Sequence, residues 1–482
     1  MSNRPETNKQ SCPVYKKCGG CQLQNLSYPE QLEFKQKKVE KLLKRFCTVE
    51  KIIGMKTPYH YRNKVQAAFY TDKKGKIISG VYQSGSHHVV GIDSCQTEDV
   101  IADKIIVAVR KLLPSFRMTT YNEDTGKGFL RHILVKRGFA TNQIMLVLVT
   151  GTPVFPSKNN FVKAILKQFP EITTIVQNIN PYRTNLVLGD NQKVLYGKGY
   201  IEDILCGCRF RISPKSFYQI NPIQTEVLYG KAIEFANLKG NETVLDTYCG
   251  IGTIGIIAAK NGAGNVIGAE LNGDAVRDAI VNARANNLKN IRFYKADAGE
   301  FMREAADEDE KPDVVFMDPP RAGSDRKFLD SLIKMSPKKV VYVSCNPETL
   351  ARDLAYLTQN SPYKAQKIQP VDMFPHTAHI ETVVLLSKGE IDSKKVRVEF
   401  SLENMDMSGF QKGATYPQIK EYVREHSGLK VSSLYISQVK RKCGLDVGQN
   451  YNLSKKENVK QPQCPPEKEL AIREAFNYFG ML

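Results

Sequence analysis

The chain has 482 residues, a formal charge of +19 at neutral pH, 41% hydrophobic and 25% charged residues, a balance that excludes a disordered chain and suggests roughly three domains. No apolar run approaches the roughly 18 residues of a membrane helix, and the opening MSNRPETNKQ has no apolar signal core, so a cytoplasmic protein is expected. The excess of Lys and Arg suits a polyanionic partner, with nucleic acid the first candidate.

The 11 cysteines are an odd number and unevenly spread. Without a signal peptide, disulfides are not expected, and a tight cluster reads as metal binding or catalysis. Cys12, Cys18 and Cys21 form C-x5-C-x2-C, and Gly19-Gly20 lets the backbone wrap around a shared centre. Cys95 is the candidate fourth ligand. Four thiolates suit either a 4Fe-4S cluster or structural zinc, while the bland alternative is four unpaired buried thiols. The C-x3-C-x2-C spacing of radical chemistry is absent. His87 and His88 point to opposite faces if they lie on a strand, so they read as surface or packing residues.

The middle of the chain reads as strand-rich. The alternation in Arg131 to Arg137 predicts a half-solvated sheet whose basic face would form an RNA track.

From Val244 strands alternate with helices. Val244 to Gly255 reads as strand, glycine-rich turn and helix start, a place where backbone approaches a ligand closely. NAD is the first alternative for such a loop. Asp246 on the preceding strand moves the reading towards S-adenosylmethionine, because a diphosphate would approach that acid unfavourably. Glu270 ends the next strand and suits ribose hydroxyls; Asp297, after a third strand, suits the adenine side. A fourth strand, Asp313 to Met317, runs into Asp318-Pro319-Pro320-Arg321, where fixed proline φ angles present a carboxylate rigidly.

Val340 to Ser344 predicts a buried parallel strand with Cys345 at its carboxyl end, stopped by Asn346-Pro347. Alone, that cysteine reads as packing more readily than as a nucleophile. The neighbouring Asp318 and Glu381, which precedes a last strand from Thr382 to Leu386, change the balance. A thiol, a carboxylate and a methyl donor together suit methylation at C5 of a pyrimidine, a carbon that is a poor nucleophile until a thiolate adds to C6. Cys345 would attack C6, and Glu381 would remove the C5 proton. Beyond Leu386, a polar stretch leads to three expected short helices over 419–425, 432–442 and 471–479, with Lys440-Arg441-Lys442 able to meet phosphate or simply to face solvent.

The segments Phe217 to Pro222, Tyr248 to Gly255, Asp318 to Gly323, Ser344 to Leu354 and Asp372 to Glu381 resemble, in this order, the RNA uracil-5 methyltransferase family, over about residues 11–388. The N-terminal cysteine set resembles that of its iron-sulfur members, which modify 23S ribosomal RNA. The resemblance implies Cys345 as nucleophile, Glu381 as base, a 4Fe-4S cluster on Cys12, Cys18, Cys21 and Cys95, and donor or target-base contacts from Gln219, Tyr248, Glu270 and Asp318. Thr253 and Asp297 are further donor contacts, and Phe217 would stack on the extruded nucleotide.

The expected architecture is α/β: a Rossmann-like S-adenosylmethionine-dependent methyltransferase domain with an N-terminal iron-sulfur region, a β-rich middle domain and a small helical C-terminal extension. The expected boundaries are 1–50 with 91–100 for the cluster region, 51–215 for the RNA-binding middle domain, 216–388 for catalysis, 389–413 for a linker and 414–482 for the extension. The expected partner is RNA, most of all 23S ribosomal RNA, bound by a monomer. Many relatives begin with a small β-barrel, for which the residues before Cys12 leave no room. Rival readings are a tRNA uracil-5 methyltransferase, an RNA cytosine-5 methyltransferase, whose usual second cysteine is missing from Asp318 to Arg321, and a non-catalytic assembly factor.

Overall fold

The computed structural model describes residues 12–83, 86–184, 186–308, 311–388, 416–445, 463–479 and 481. The expected linker, 389–413, lies outside them. The chain divides into two compact units, 1–391 and 392–482.

In the first unit, a single turn α1 (Tyr15–Cys18) ends at Gly19, whose φ of +69° is cheap only for glycine. Helix α2 (Tyr28–Leu43) starts where the Ser27 amide donates to the Glu30 carboxylate at 2.7 Å. Its inward side chains Val39 and Leu43 join one core with Leu245, Val340 and Leu354. Just after it, Val49 and Ile53 bridge to Ile368 and Val371. The stretch that follows the three clustered cysteines is therefore built onto the strand that holds Ile368 and Val371.

The first seven-stranded sheet holds β1 (Lys64–Thr71), β2 (Ile77–Tyr82), β3 (Val89–Gly91), β4 (Leu130–Arg137), β5 (Ile144–Thr150), β6 (Ile172–Ile179) and β7 (Asn191–Tyr196), in the order β3-β2-β1-β4-β5-β6-β7. Helices α3 (Val100–Leu112) and α4 (Lys158–Gln168) cover one face. On the other, Leu134, Met145 and Val147 share a core with the hairpin β8 (Ile201–Leu205) and β9 (Cys208–Ile212), and with Leu228, Val244 and Ile254 of the following α/β region.

Covering both faces overturns the expected half-solvated basic track: Arg131, His132 and Lys136 are all buried. Arg131 is held by the Glu123 carboxylate at 2.7 and 3.1 Å, and Lys136 donates to the carbonyls of Ser213 and Ser216. Alternation in sequence reports pleat, not which layer covers each face.

The second sheet follows α5 (Pro222–Ala236). It comprises β10 (Thr243–Asp246), β11 (Asn265–Glu270), β12 (Ile291–Lys295), β13 (Val314–Met317), β14 (Lys339–Ser344), β15 (Tyr363–Val371) and β16 (Glu381–Lys388), in the order β12-β11-β10-β13-β14-β16-β15. The first five strands are parallel, connected by α6 (Thr253–Lys260), α7 (Gly273–Ala285), α8 (Ala298–Asp307) and α9 (Arg326–Met335); β16 runs opposite to β14 after α10 (Pro347–Asn360). The chain winds outwards to β12 and returns to β13, so the switch point lies between β10 and β13.

The second unit contains α11 (Tyr416–Ser427), α12 (Ser433–Lys442) and α13 (Pro466–Tyr478), packed through Ile419, Val423, Ile436, Val439, Ile472 and Phe476. Helix α13 starts five residues before the expected 471, because Pro466 opens its first turn. No helix among the described residues is long and apolar enough to cross a membrane.

Candidate active site

Strand β13 delivers Asp318, β14 delivers Cys345 and β16 begins at Glu381. The last rung between the antiparallel strands pairs Ser344 with Thr382, so the next step sets Cys345 opposite Glu381. Cys345 lies just before α10, whose cap Asn346 accepts from the Glu348 amide at 3.1 Å. A helix N-terminus favours a thiolate. Burial acts against it, and so do the charges of Glu381 and Asp318; these outweigh Arg321 and a backbone hydrogen bond, and the thiol is pushed up to about 11.

The same crowding raises the acids. Burial pushes Asp318 up to about 7. Glu381, only 4% exposed, is driven well above the usual carboxylate range by burial and then by Asp318. Three acidic groups sharing one poorly hydrated edge cannot all ionise, so they hold protons that a bound cation or substrate would redistribute.

Beside this edge lies the glycine loop between β10 and α6. Asp246 is buried; one carboxylate oxygen accepts from the Gly255 amide at 2.8 Å, and Oδ1 has no partner. Burial raises it to about 7. Gly252 has φ +83°, and a Cβ there would lie 2.8 Å from the Phe293 ring, so no other residue fits the turn. Glu270 ties the loop to β11, accepting from the amides of Gly250 at 3.1 Å and Asn272 at 2.7 Å. Tyr248 is half-buried with its ring 5.5 Å from that of Phe328, and burial raises its hydroxyl to about 12.

Gln219 and Thr253 meet through a residue the sequence reading missed. The hydroxyl of the buried Tyr229, on α5, lies 3.5 Å from Gln219 Nε2, interacts with Thr253 and feels the Asp318 charge. Phe217 is 63% exposed. With Gly250 and Glu270 it lines a cavity of about 450 Å³ rimmed by Arg211, Lys215 and Arg277. Asp297 stands apart from the Cys345 edge: it is exposed and caps α8, accepting from the amides of Gly299 and Glu300.

The loop leading to Glu381 is clamped from a distant part of the chain. Lys35 pairs with Asp372 at 2.6 Å with both side chains fully buried, and the Tyr28 hydroxyl donates to the other carboxylate oxygen at 2.9 Å. His376, at φ +69°, gives its amide to Gln31 at 2.8 Å and accepts the Leu23 amide at 2.9 Å. The Ala378 amide donates to Gln22. Lys35 and Gln31 carried no sequence signal, since their partners lie 337 and 345 residues away.

Cys12, Cys18, Cys21 and Cys95 line one cavity. A Cβ on Gly20 would stand 3.3 Å from Cys18 Sγ, so glycine keeps that wall open. All four are free thiols, and among the described residues no group of three His, Cys, Asp or Glu side chains is arranged to hold a metal ion.

A profile of the tRNA (uracil-5-)-methyltransferase family matches residues 183–389. An uncharacterized RNA methyltransferase of Bacillus cereus is 44% identical over 391 residues, covering 80% of this chain and 84% of its own. The chain belongs to the RNA uracil-5 methyltransferase family. A similarly uncharacterized RNA methyltransferase of Listeria monocytogenes is 47% identical over 379 residues, 78% of this chain and 83% of its own. The crystal structure of Pyrococcus abyssi tRNA (uracil-54, C5)-methyltransferase with S-adenosyl-L-homocysteine matches with TM-score 0.65 and 30% identity, covering 78% of this chain and 87% of that one. This methyltransferase thus has the α/β fold of S-adenosylmethionine-dependent enzymes, and RNA is its substrate.

Proposed function

We propose that this methyltransferase transfers a methyl group from S-adenosylmethionine to C5 of one uridine in 23S ribosomal RNA. The observation that carries the chemistry is Cys345 set opposite Glu381 at a strand edge shared with Asp318. In this scheme the Cys345 thiolate adds to C6 of the uracil, leaving C5 electron-rich. S-adenosylmethionine supplies the methyl group, which C5 takes as the donor leaves as the neutral thioether. Glu381 removes the C5 proton, and the C6–S bond breaks to return the thiolate.

Asp318, Gln219, Tyr248, Thr253 and Glu270 are the proposed donor contacts, joined by Asp297, while Phe217, with Gln219 and Asp318, receives the target nucleotide. The unpartnered buried oxygen of Asp246 supports a ligand at this loop. We also assign residues 1–50 with 91–100 to a cluster region, 51–215 to RNA binding and 216–388 to catalysis, in a monomeric cytoplasmic protein.

The choice of 23S RNA rests on the cysteine set. Four thiols around one cavity suit a 4Fe-4S cluster, for which Cys12, Cys18, Cys21 and Cys95 would be the ligands. Anaerobically purified protein is expected to be brown with four irons per chain; colourless protein with one zinc removes the iron assignment. A tRNA substrate is the second reading, favoured by the likeness to the Pyrococcus enzyme. Methyl transfer from labelled S-adenosylmethionine to unmodified 23S RNA and to tRNA transcripts decides between them: label in 23S RNA alone supports the first, and label in tRNA alone overturns it.

A further inference from the structure

A second cavity, apart from the one beside Phe217, opens at the first unit's β-rich sheet. It has a volume of about 580 Å³ and is lined by Gln66, Tyr82, Glu123, His132, Leu186 and Val187 among others. Its walls pair apolar surface with polar groups, one of them a buried ring nitrogen without a partner. Leu186 is an aliphatic side chain left 71% exposed, Val187 packs on the central core, and the Tyr82 ring lies 5.8 Å from His132, edge to face. His132 itself is only 5% exposed, yet its Nδ1 has no hydrogen-bond partner. Burial, with the charge of Arg131 beside it, holds the ring neutral, with its acid-base midpoint lowered to about 4, so it presents one donor and one acceptor.

The walls are also preformed. Arg131 is the extra residue of a bulge where β4 shifts register against β5, and bulges re-aim side chains. Its guanidinium grips Glu123 and donates to the carbonyls of Asn180 at 2.8 Å and Tyr182 at 2.7 Å. These bonds fix both the Glu123 wall and the backbone at Asn180 and Tyr182.

Position matters as much as chemistry. Lys64, Gln66 and Ala68 on β1 face Lys136, Leu134 and His132 on β4 across the ladder, and alternate residues share a sheet face. His132 and Lys136 therefore lie on one face, about 14 Å apart at the usual rise per residue. Lys136 Nζ holds the carbonyls of Ser213 and Ser216, the turn that presents Phe217. The cavity thus lies on the same sheet face as the anchor of the proposed target-nucleotide loop.

We propose that this cavity is a second base pocket, which takes an unpaired nucleobase flanking the target uridine and so selects the RNA. A base has apolar faces for Tyr82, Leu186 and Val187, and an edge of donors and acceptors for Gln66, Glu123 and His132. The inference rests on the RNA-methylating reading of the Cys345 edge.

The test uses the full chain and whichever transcript, 23S RNA or tRNA, the wild type methylates, with single abasic nucleotides placed on either side of the target. One flanking abasic position is expected to raise KM about tenfold with kcat held, the scale of one lost base contact. Gln66→Ala with Leu186→Ala, both exposed positions, raises KM to a similar extent on intact RNA and leaves S-adenosylmethionine binding unchanged. The same variant on the abasic RNA loses little more. Additive losses, or a variant with unchanged KM, overturn the pocket. His132→Phe probes the buried ring, and if it fails to fold the exposed pair decides alone. A wild type that methylates neither RNA overturns the functional reading instead.

Discussion

The Cys345 edge and the cysteine cavity are both built from side chains far apart in sequence, yet by opposite means. At the edge, strand ladders do the placing: once β13, β14 and β16 pair, Asp318, Cys345 and Glu381 have no freedom to be elsewhere. At the cavity, a one-turn helix and two loops converge, and what holds the segment is its grip on the 372–381 loop through Gln22, Leu23 and α2. Ladders make a site rigid by themselves, whereas loops borrow rigidity from what they clamp. Here the borrowed rigidity also runs the other way, because the clamped loop carries Glu381.

The largest effect is expected at the edge. Cys345→Ala removes the attacking atom, so methyl transfer should fall on the order of 10⁴-fold or more while the fold and S-adenosylmethionine binding persist; turnover near wild type in a labelled-methyl assay would end the covalent scheme. Glu381→Gln separates the steps. Turnover should drop roughly 10²–10⁴-fold, and a protein–RNA adduct stable to denaturing gels should accumulate, since methylation is complete but elimination stalls. Loss of turnover without adduct would move Glu381 out of the base role.

The clamp is tested by Lys35→Met, which strands the Asp372 carboxylate in a site that water does not reach. Denaturant unfolding should show a loss of about 3–5 kcal/mol. If the loop depends on the clamp, the variant's kcat falls more than its affinity for S-adenosylmethionine; an unchanged kcat at full folding would make the two regions independent.

The smallest effect concerns protons. With its midpoint raised to about 11, the free thiol of Cys345 is protonated at neutral pH. Its alkylation by iodoacetamide should therefore climb with pH up to about that value. The cationic sulfonium of S-adenosylmethionine favours the thiolate and should shift the curve downwards; neutral S-adenosylhomocysteine should not. Identical curves with both ligands would show that the donor's charge is not felt at Cys345.

The strand ends that carry Asp318 and Cys345 were legible in the sequence. Short β-branched runs stopped by Asn-Pro or Pro-Pro announce buried parallel strands and their carboxyl ends, and the observed β14 and β13 end one residue before Cys345 and Asp318. Tyr229 was not legible, because it sits inside a helix among other apolar residues and only the packing of α5 brings its hydroxyl to Gln219 and Thr253. The basic run on β4 misled for a related reason. Its charges suggested solvent, but carbonyls of the 180–182 and 213–216 loops and the Glu123 carboxylate satisfy them inside.

By itself, the sequence determined where the strands that carry Asp318 and Cys345 end, the glycine turn and the thiol at a strand end, because these are written in local periodicity and in φ preferences. Tertiary structure decided which charges are buried, which acids crowd Cys345 and which residues hold the Glu381 loop. Those outcomes depend on the desolvation and pairing of groups hundreds of residues apart, and no local pattern encodes them.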